Sequence, residues 1–208
     1  HRLNPDGSIP PDNPVFTQTG ALRVWRVADG TFVRSFTNAS FRFGPAAFTP
    51  DSLSVIAADG NAVLMWRLRD ATQLLRLETG HPAGVQSLAV SGDGRTLATG
   101  GANFDDTIRL WRLQDATLLH TLSGHSNWVG TLVFSPDDQL LASAGLFDRT
   151  LKLWAVGSGA LIKHYDRETL DIRSLAFSPN GHLLAWGRRD ATTVMALRPH
   201  GRFVNLKR

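Results

Sequence analysis

The sequence predicts an all-β protein assembled from one repeated four-stranded unit. Two observations carry this. Residues Gly124–Trp154 (GHSNWVGTLVFSPDDQLLASAGLFDRTLKLW) and Gly80–Trp111 (GHPAGVQSLAVSGDGRTLATGGANFDDTIRLW) share one order of features. Each runs from a Gly-His pair through an apolar segment, a turn rich in Gly, Pro or Asp, a second apolar segment, an Asp and a segment ending in Trp. The apolar segments are short and rich in Val, Leu and Thr, and they lie between Gly, Pro and Asp turns. Such segments are strands, and no window long enough for a helix shows helical periodicity.

Taken in order, the chain opens with His1–Phe16 (HRLNPDGSIPPDNPVF), whose four prolines predict turns and little regular structure. One reading of Asn4-Pro5-Asp6-Gly7 is a turn like that at Ser135-Pro136-Asp137-Asp138. From there the repeat governs. Its third strand reads ALRVW to Trp25, AVLMW to Trp66, TIRLW to Trp111 and TLKLW to Trp154. A fifth copy, TTVMA, ends at Ala196 and has lost the Trp. The copies recur about every 40–45 residues.

Upstream of four of these strands stand the turns FTPDS, VSGDG, FSPDD and FSPNG, each followed by a second strand: SVIAAD, TLATGG, LLASAG and LLAWGR. Fourth strands follow all five: TFVRSF, QLLRLE, TLLHTL, ALIKHY and RFVNLK. After a segment 1–16, the expected units are therefore 17–40, 41–79, 80–124, 125–167 and 168–208.

Composition narrows the function. With 208 residues, 42% hydrophobic and 19% charged, the chain can bury a sizeable core. The net charge of +4 comes from scattered residues with no run longer than a pair such as Arg188-Arg189. That pattern fits an Arg-rich solvated surface better than nucleic-acid binding. The absence of Cys excludes disulfides and Cys-based metal or redox chemistry. No stretch of about 18 apolar residues predicts a membrane helix. The sequence begins at His1 without a signal-peptide pattern, as a processed form or a piece of a longer protein would, and it assigns no compartment.

The His residues lack zinc-site spacing, Asp105-Asp106 lacks an alternating calcium-ligand pattern, and the Gly pairs sit between strands rather than before helices. No metal or cofactor is expected. His125, Ser143 and Asp148 are the residue types of a nucleophilic hydrolase. His81, Thr99 and Asp105 stand at matching offsets one unit earlier. Two copies argue for a building device, since catalysis needs one site.

Residues from about 15 to 208 resemble the WD40 repeat, on the Gly-His, turn, Asp and Trp features quoted above. They depart from it after the Trp, where Arg follows Trp25, Trp66 and Trp111 and Ala follows Trp154. The resemblance implies a β-propeller of four-stranded blades. It also implies a structural network in two blades, His81, Thr99, Asp105 and Trp111 in one and His125, Ser143, Asp148 and Trp154 in the other. Blades without a Gly-His pair are expected to rest on apolar packing. About five blades imply an incomplete ring or part of a longer propeller, whose open sheet edges invite a partner or self-association.

Family resemblance further places partner contacts on the rim where the first strands begin. The matched positions are Arg42, Gly84, Trp128 and Asp171, and two residues on, Gly44, Gln86, Gly130 and Arg173. Phe104, Phe147 and Arg189, each preceding an Asp, point to the same rim. Every one of these also suits ordinary loop or strand packing, and for Phe104 and Phe147 packing of a long turn is expected. Trp128 is the sharpest partner-binding residue, because Trp154 already fills its blade's structural position.

The implied function is a non-catalytic scaffold that presents a propeller face to a protein or peptide. A second resemblance gives an alternative. Residues 1–16 are similar to a stretch of soluble quinone-dependent sugar dehydrogenases, from which they depart by Val15. A structural subunit of a larger assembly is the remaining reading.

Overall fold

The computed structural model describes residues 21–37, 43–165, 171–188, 192–197 and 203–205. Every regular element among them is a β-strand. No helix among the described residues is long and apolar enough to cross a membrane. Contacts divide the chain into a unit ending at Arg42 and a unit starting at Phe43.

In the first unit, β1 (Ala21–Trp25) pairs antiparallel with β2 (Phe32–Thr37). Trp25 meets Phe32 edge-on at 5.2 Å between ring centroids, yet remains 54% exposed.

The second unit holds four antiparallel sheets, each of four strands consecutive in sequence. The first contains β3 (Phe43–Phe48), β4 (Ser54–Asp59), β5 (Ala62–Arg67) and β6 (Gln73–Glu78). The second contains β7 (Val85–Val90), β8 (Thr96–Gly101), β9 (Ile108–Arg112) and β10 (Thr117–Leu122). The third contains β11 (Val129–Phe134), β12 (Leu140–Gly145), β13 (Leu151–Ala155) and β14 (Leu161–Tyr165). The fourth contains β15 (Ile172–Phe177), β16 (Leu183–Arg188), β17 (Thr192–Leu197) and β18 (Phe203–Asn205). The first strands adjoin in the succession β3, β7, β11, β15, as propeller blades do, and among the described residues the succession does not close into a ring.

Local chemistry explains where each hairpin turns. Between the first and second strands, the Thr49, Ser91 and Ser135 hydroxyls donate to the carboxylates of Asp51, Asp93 and Asp137, and Ser178 donates to Asn180. The same Asp or Asn oxygen also accepts the backbone N–H two residues on, which closes an Asx-turn. Between the third and fourth strands, Asp29, Asp70 and Asp115 accept from the N–H of Thr31, Thr72 and Thr117. The Arg after each Trp has its own use here: Arg26, Arg67 and Arg112 pair with these three carboxylates.

The core lies between successive sheets. Ile56, Ala58 and Val63 of the first pack against Leu97 and Trp111 of the second. Ala98, Ile108 and Leu110 of the second pack against Leu132, Leu141 and Trp154 of the third. Ala142, Ala144 and Leu153 of the third pack against Ile172, Leu184 and Trp186 of the fourth. The small residues are therefore functional in packing: second strands rich in Ala and Gly accept the bulk of the next sheet at close-packed density.

The register corrects one expectation. Val55, Leu97 and Leu141 face Trp66, Trp111 and Trp154, and their counterpart Leu184 faces Met195. The Trp position of the last sheet is thus Met195, not Ala196. A large ring is still supplied, from the second strand, because Trp186 stands where Ser143 and Thr99 stand in the neighbouring sheets.

Neighbouring sheets are also joined through their turns. The Asp138 carboxylate accepts the N–H of Gly92 at 2.6 Å and of Asp93 at 2.8 Å. Position 92 is Gly where the other three turns carry Pro50, Pro136 and Pro179, so only this turn offers that N–H. Where Gly94 instead faces Pro50, a cleft of about 690 Å³ stays open between the first and second sheets. Asp138→Ala is expected to lower stability by about 1 kcal/mol, read as the urea midpoint; an unchanged midpoint would remove the clamp from the account.

Candidate functional site

The site is built at the end of the sheets where first strands begin. The antiparallel pairing brings the segment before each first strand beside the loop between its second and third strands. In the third sheet, Val129 pairs with Gly145 and the Leu146 N–H donates to the Trp128 carbonyl at 2.8 Å. In the second, Val85 pairs with Gly101 and the Ala102 N–H donates to the Gly84 carbonyl at 3.1 Å.

Beneath this end lies a hydrogen-bonded relay. In the third sheet the Trp154 indole N–H donates to Ser143 Oγ at 2.8 Å, and Ser143 Oγ lies 2.7 Å from His125 Nε2. His125 Nδ1 lies 2.8 Å from Asp148 Oδ2. In the second sheet Trp111 Nε1 to Thr99 Oγ1 is 3.0 Å, Thr99 to His81 Nε2 is 2.9 Å and His81 Nδ1 to Asp105 Oδ2 is 2.6 Å.

A neutral imidazole protonated at Nδ1 satisfies each relay in one direction, from indole through hydroxyl and imidazole to carboxylate. The environment favours that state. Burial pushes both imidazoles below their ordinary value, against the pull of their Asp partners. Burial also works against the two carboxylates. Their hydrogen bonds outweigh it, chiefly from Thr107 to Asp105 and from His125 to Asp148, and hold both below the usual carboxylate range.

The distances are those of a Ser-His-Asp triad, and burial decides against that chemistry. Ser143 is 0% exposed and its oxygen already receives the Trp154 indole, so no substrate carbonyl reaches it.

Four further residues belong to this region. Thr107 and Thr150 donate their hydroxyls and N–H groups to Asp105 Oδ1 and Asp148 Oδ1. Both stand two residues after the Asp, so an Asp-x-Thr signal was available in the sequence. Arg109 donates to the Thr79 carbonyl, and the buried Lys152 donates to Thr150 at 2.9 Å. Their paired positions opposite Thr99 and Ser143 become visible only once the register is known.

On the rim above, Trp128 is half-buried and stands edge-on to Phe147 with centroids 5.4 Å apart. Phe147 remains 51% exposed. Phe104 departs from the expected turn packing, being 96% exposed. Asn103 and Phe104 both have positive φ, 42° and 68°, and this left-handed pair turns the ring outward. Asp171 and Arg173 form an ion pair at 3.3 Å, and Gln86 is half-buried on β7. Arg42 and Arg189 lie outside the described residues.

The family model described as "WD domain, G-beta repeat" matches residues 72–112 and 116–155. The chain carries WD40 repeats. Each matched WD40 segment begins with the fourth strand of one sheet (β6 or β10) and continues through three strands of the next, so sequence repeats interlock the sheets. Apoptotic protease-activating factor 1 of Rattus norvegicus is 34% identical over 137 residues, 61% of this chain and 11% of that protein. WD repeat and SOCS box-containing protein 1 of Homo sapiens is 34% identical over 107 residues, 50% of this chain and 24% of that protein. Its counterpart in Danio rerio is 31% identical over 149 residues, 69% of this chain and 35% of that protein. The chain thus spans about a third or less of the length of these relatives. The WD40 match does not extend to residues 1–16, which lie outside the described residues, and these matches do not show the sugar-dehydrogenase resemblance read there.

Proposed function

We propose that the chain is a non-catalytic scaffold that docks a protein or peptide on the rim where its first strands begin. The Trp128–Phe147 pair carries this reading. Two large rings meet edge-on above a relay that already holds its own Trp, and both keep surface open to a partner. Aromatic residues in such positions dominate binding energies. The buried relay supports the reading by giving the rim a rigid base.

Trp128→Ala is the test. Its bound proteins are compared with those of wild type by affinity capture and mass spectrometry, and a denaturation curve confirms that the fold persists. Loss of partners is expected, with about tenfold or greater weakening for a hot-spot ring; an unchanged set removes Trp128 from the interface.

Self-association belongs to the same proposal. Among the described residues β1 pairs only with β2, whereas β5, β9, β13 and β17 each pair on both sides. The particle mass in solution tests it against the 22.7 kDa chain. The alternative sugar-oxidising reading rests on residues 1–16 alone. Dye reduction with glucose, in the presence of a quinone and calcium, would overturn the scaffold reading.

A further inference from the structure

The third-sheet relay grips the chain on both sides of the rim's aromatic pair. His125 lies three residues before Trp128, and Asp148 directly follows Phe147. Besides His125, Asp148 Oδ2 accepts the Ser126 N–H at 3.1 Å, while its Oδ1 holds Thr150. The loop carrying Phe147 and the segment carrying Trp128 are therefore fastened at one carboxylate, and His125 links that carboxylate to the hydroxyl of β12.

We propose that this relay is a proton-sensitive latch on the Trp128–Phe147 pair, in which protonation of His125 leaves the buried Ser143 hydroxyl proton without an acceptor, drives the imidazole away from β12 and so releases the segment bearing Trp128. The inference rests on the docking reading for its purpose, not for its geometry. Protonated His125 must donate from Nε2 into Ser143 Oγ, which then receives two donors, since the Trp154 indole already points there. The Ser143 proton loses the acceptor it had, at a site fully closed to water.

The charged and titratable groups acting on His125 are Asp148, which favours the cation, and Lys152 of β13 and His164 of β14, which oppose it. Burial is the largest influence, and it keeps the latch shut at neutral pH. Opening therefore begins as pH falls below the ordinary value of 6.5. Asp148 stays ionised through that window, being held below 3.8.

The second sheet is the internal control. Thr99 has a second acceptor in reach, the Arg109 carbonyl at 3.5 Å, so protonating His81 does not orphan its hydroxyl. The rim position matching Trp128 there is Gly84, with no ring to release.

The test is a proton NMR titration of the intact wild-type chain from about pH 7.5 to about pH 5, which needs no partner and no variant. It follows the His125 ring signal, the ring-to-ring contact of Trp128 with Phe147, and the Trp154 and Trp111 indole protons. The expected result is loss of the ring contact and a Trp154 shift with the His125 titration, the released population growing about tenfold per pH unit, while Trp111 stays in place. A ring contact that persists while His125 titrates overturns the proposal, and so does a His125 that stays neutral throughout. Simultaneous change at Trp111 means global unfolding and also overturns it. Partners indifferent to Trp128→Ala would sink the docking reading and leave this titration standing.

Discussion

Trp154→Ala is expected to cost about 3–5 kcal/mol of folding free energy, and Trp25→Ala less than about 1 kcal/mol. Both residues close the same sequence motif, so the contrast isolates what the fold does with it. Trp154 is 2% exposed, packed against Ala98, Ile108 and Leu110 of the preceding sheet. Its loss leaves a cavity the size of an indole and removes the donor at the head of the relay. Trp25 touches Phe32 at the edge and gives up little on truncation. Urea denaturation of the two variants at an unchanged m-value reads the difference. Equal midpoints would mean that the packing between the second and third sheets is not what holds Trp154.

How much of this was legible depended on what repeats. Gly-His, hydroxyl, Asp and Trp recur at matching offsets in two units, and those offsets identify His81, Thr99, Asp105 and Trp111 beside His125, Ser143, Asp148 and Trp154. Where the motif degenerates, pattern matching slips. TTVMA has no Trp to fix its end, and a shift of one residue moves every side chain to the opposite face of a strand. Only pairing with Leu184 identifies Met195 as the matching position.

Phe104 and Phe147 looked parallel because each precedes the blade Asp. Their surroundings differ: Phe147 has Trp128 beside it, whereas Phe104 follows a left-handed Asn103 and projects outward. Backbone handedness at Asn103 and Phe104 is a property of the closed loop, which spacing does not record. The cations at Arg109 and Lys152 were hidden for a related reason, since their role follows from facing Thr99 and Ser143 across a ladder.

Asp148→Ala is the second large effect, about 1–3 kcal/mol, and it should exceed that of Asp105→Ala. Asp148 accepts from His125, the Ser126 N–H and both the N–H and hydroxyl of Thr150. Asp105 accepts from His81 and the two Thr107 donors, with no backbone N–H from the His side. Removing Asp148 therefore strands more donors in a buried place. The pH dependence has a definite sign. Asp148 is depressed in the folded state, so its contribution is complete above the ordinary 3.8 and fades as pH falls below it. The stability gap between wild type and Asp148→Ala should accordingly shrink as pH drops below about 3.8. His125 is likewise depressed, so its contribution is complete above 6.5 and fades below that value. Acidification thus acts first on the imidazole and then on the carboxylate. Denaturation midpoints of both proteins across this range separate the two stages. A gap that stays constant below about 3.8 would show that Asp148 is not ionised in the relay, and the one-directional hydrogen-bond chain would have to be redrawn with a protonated acid at its end.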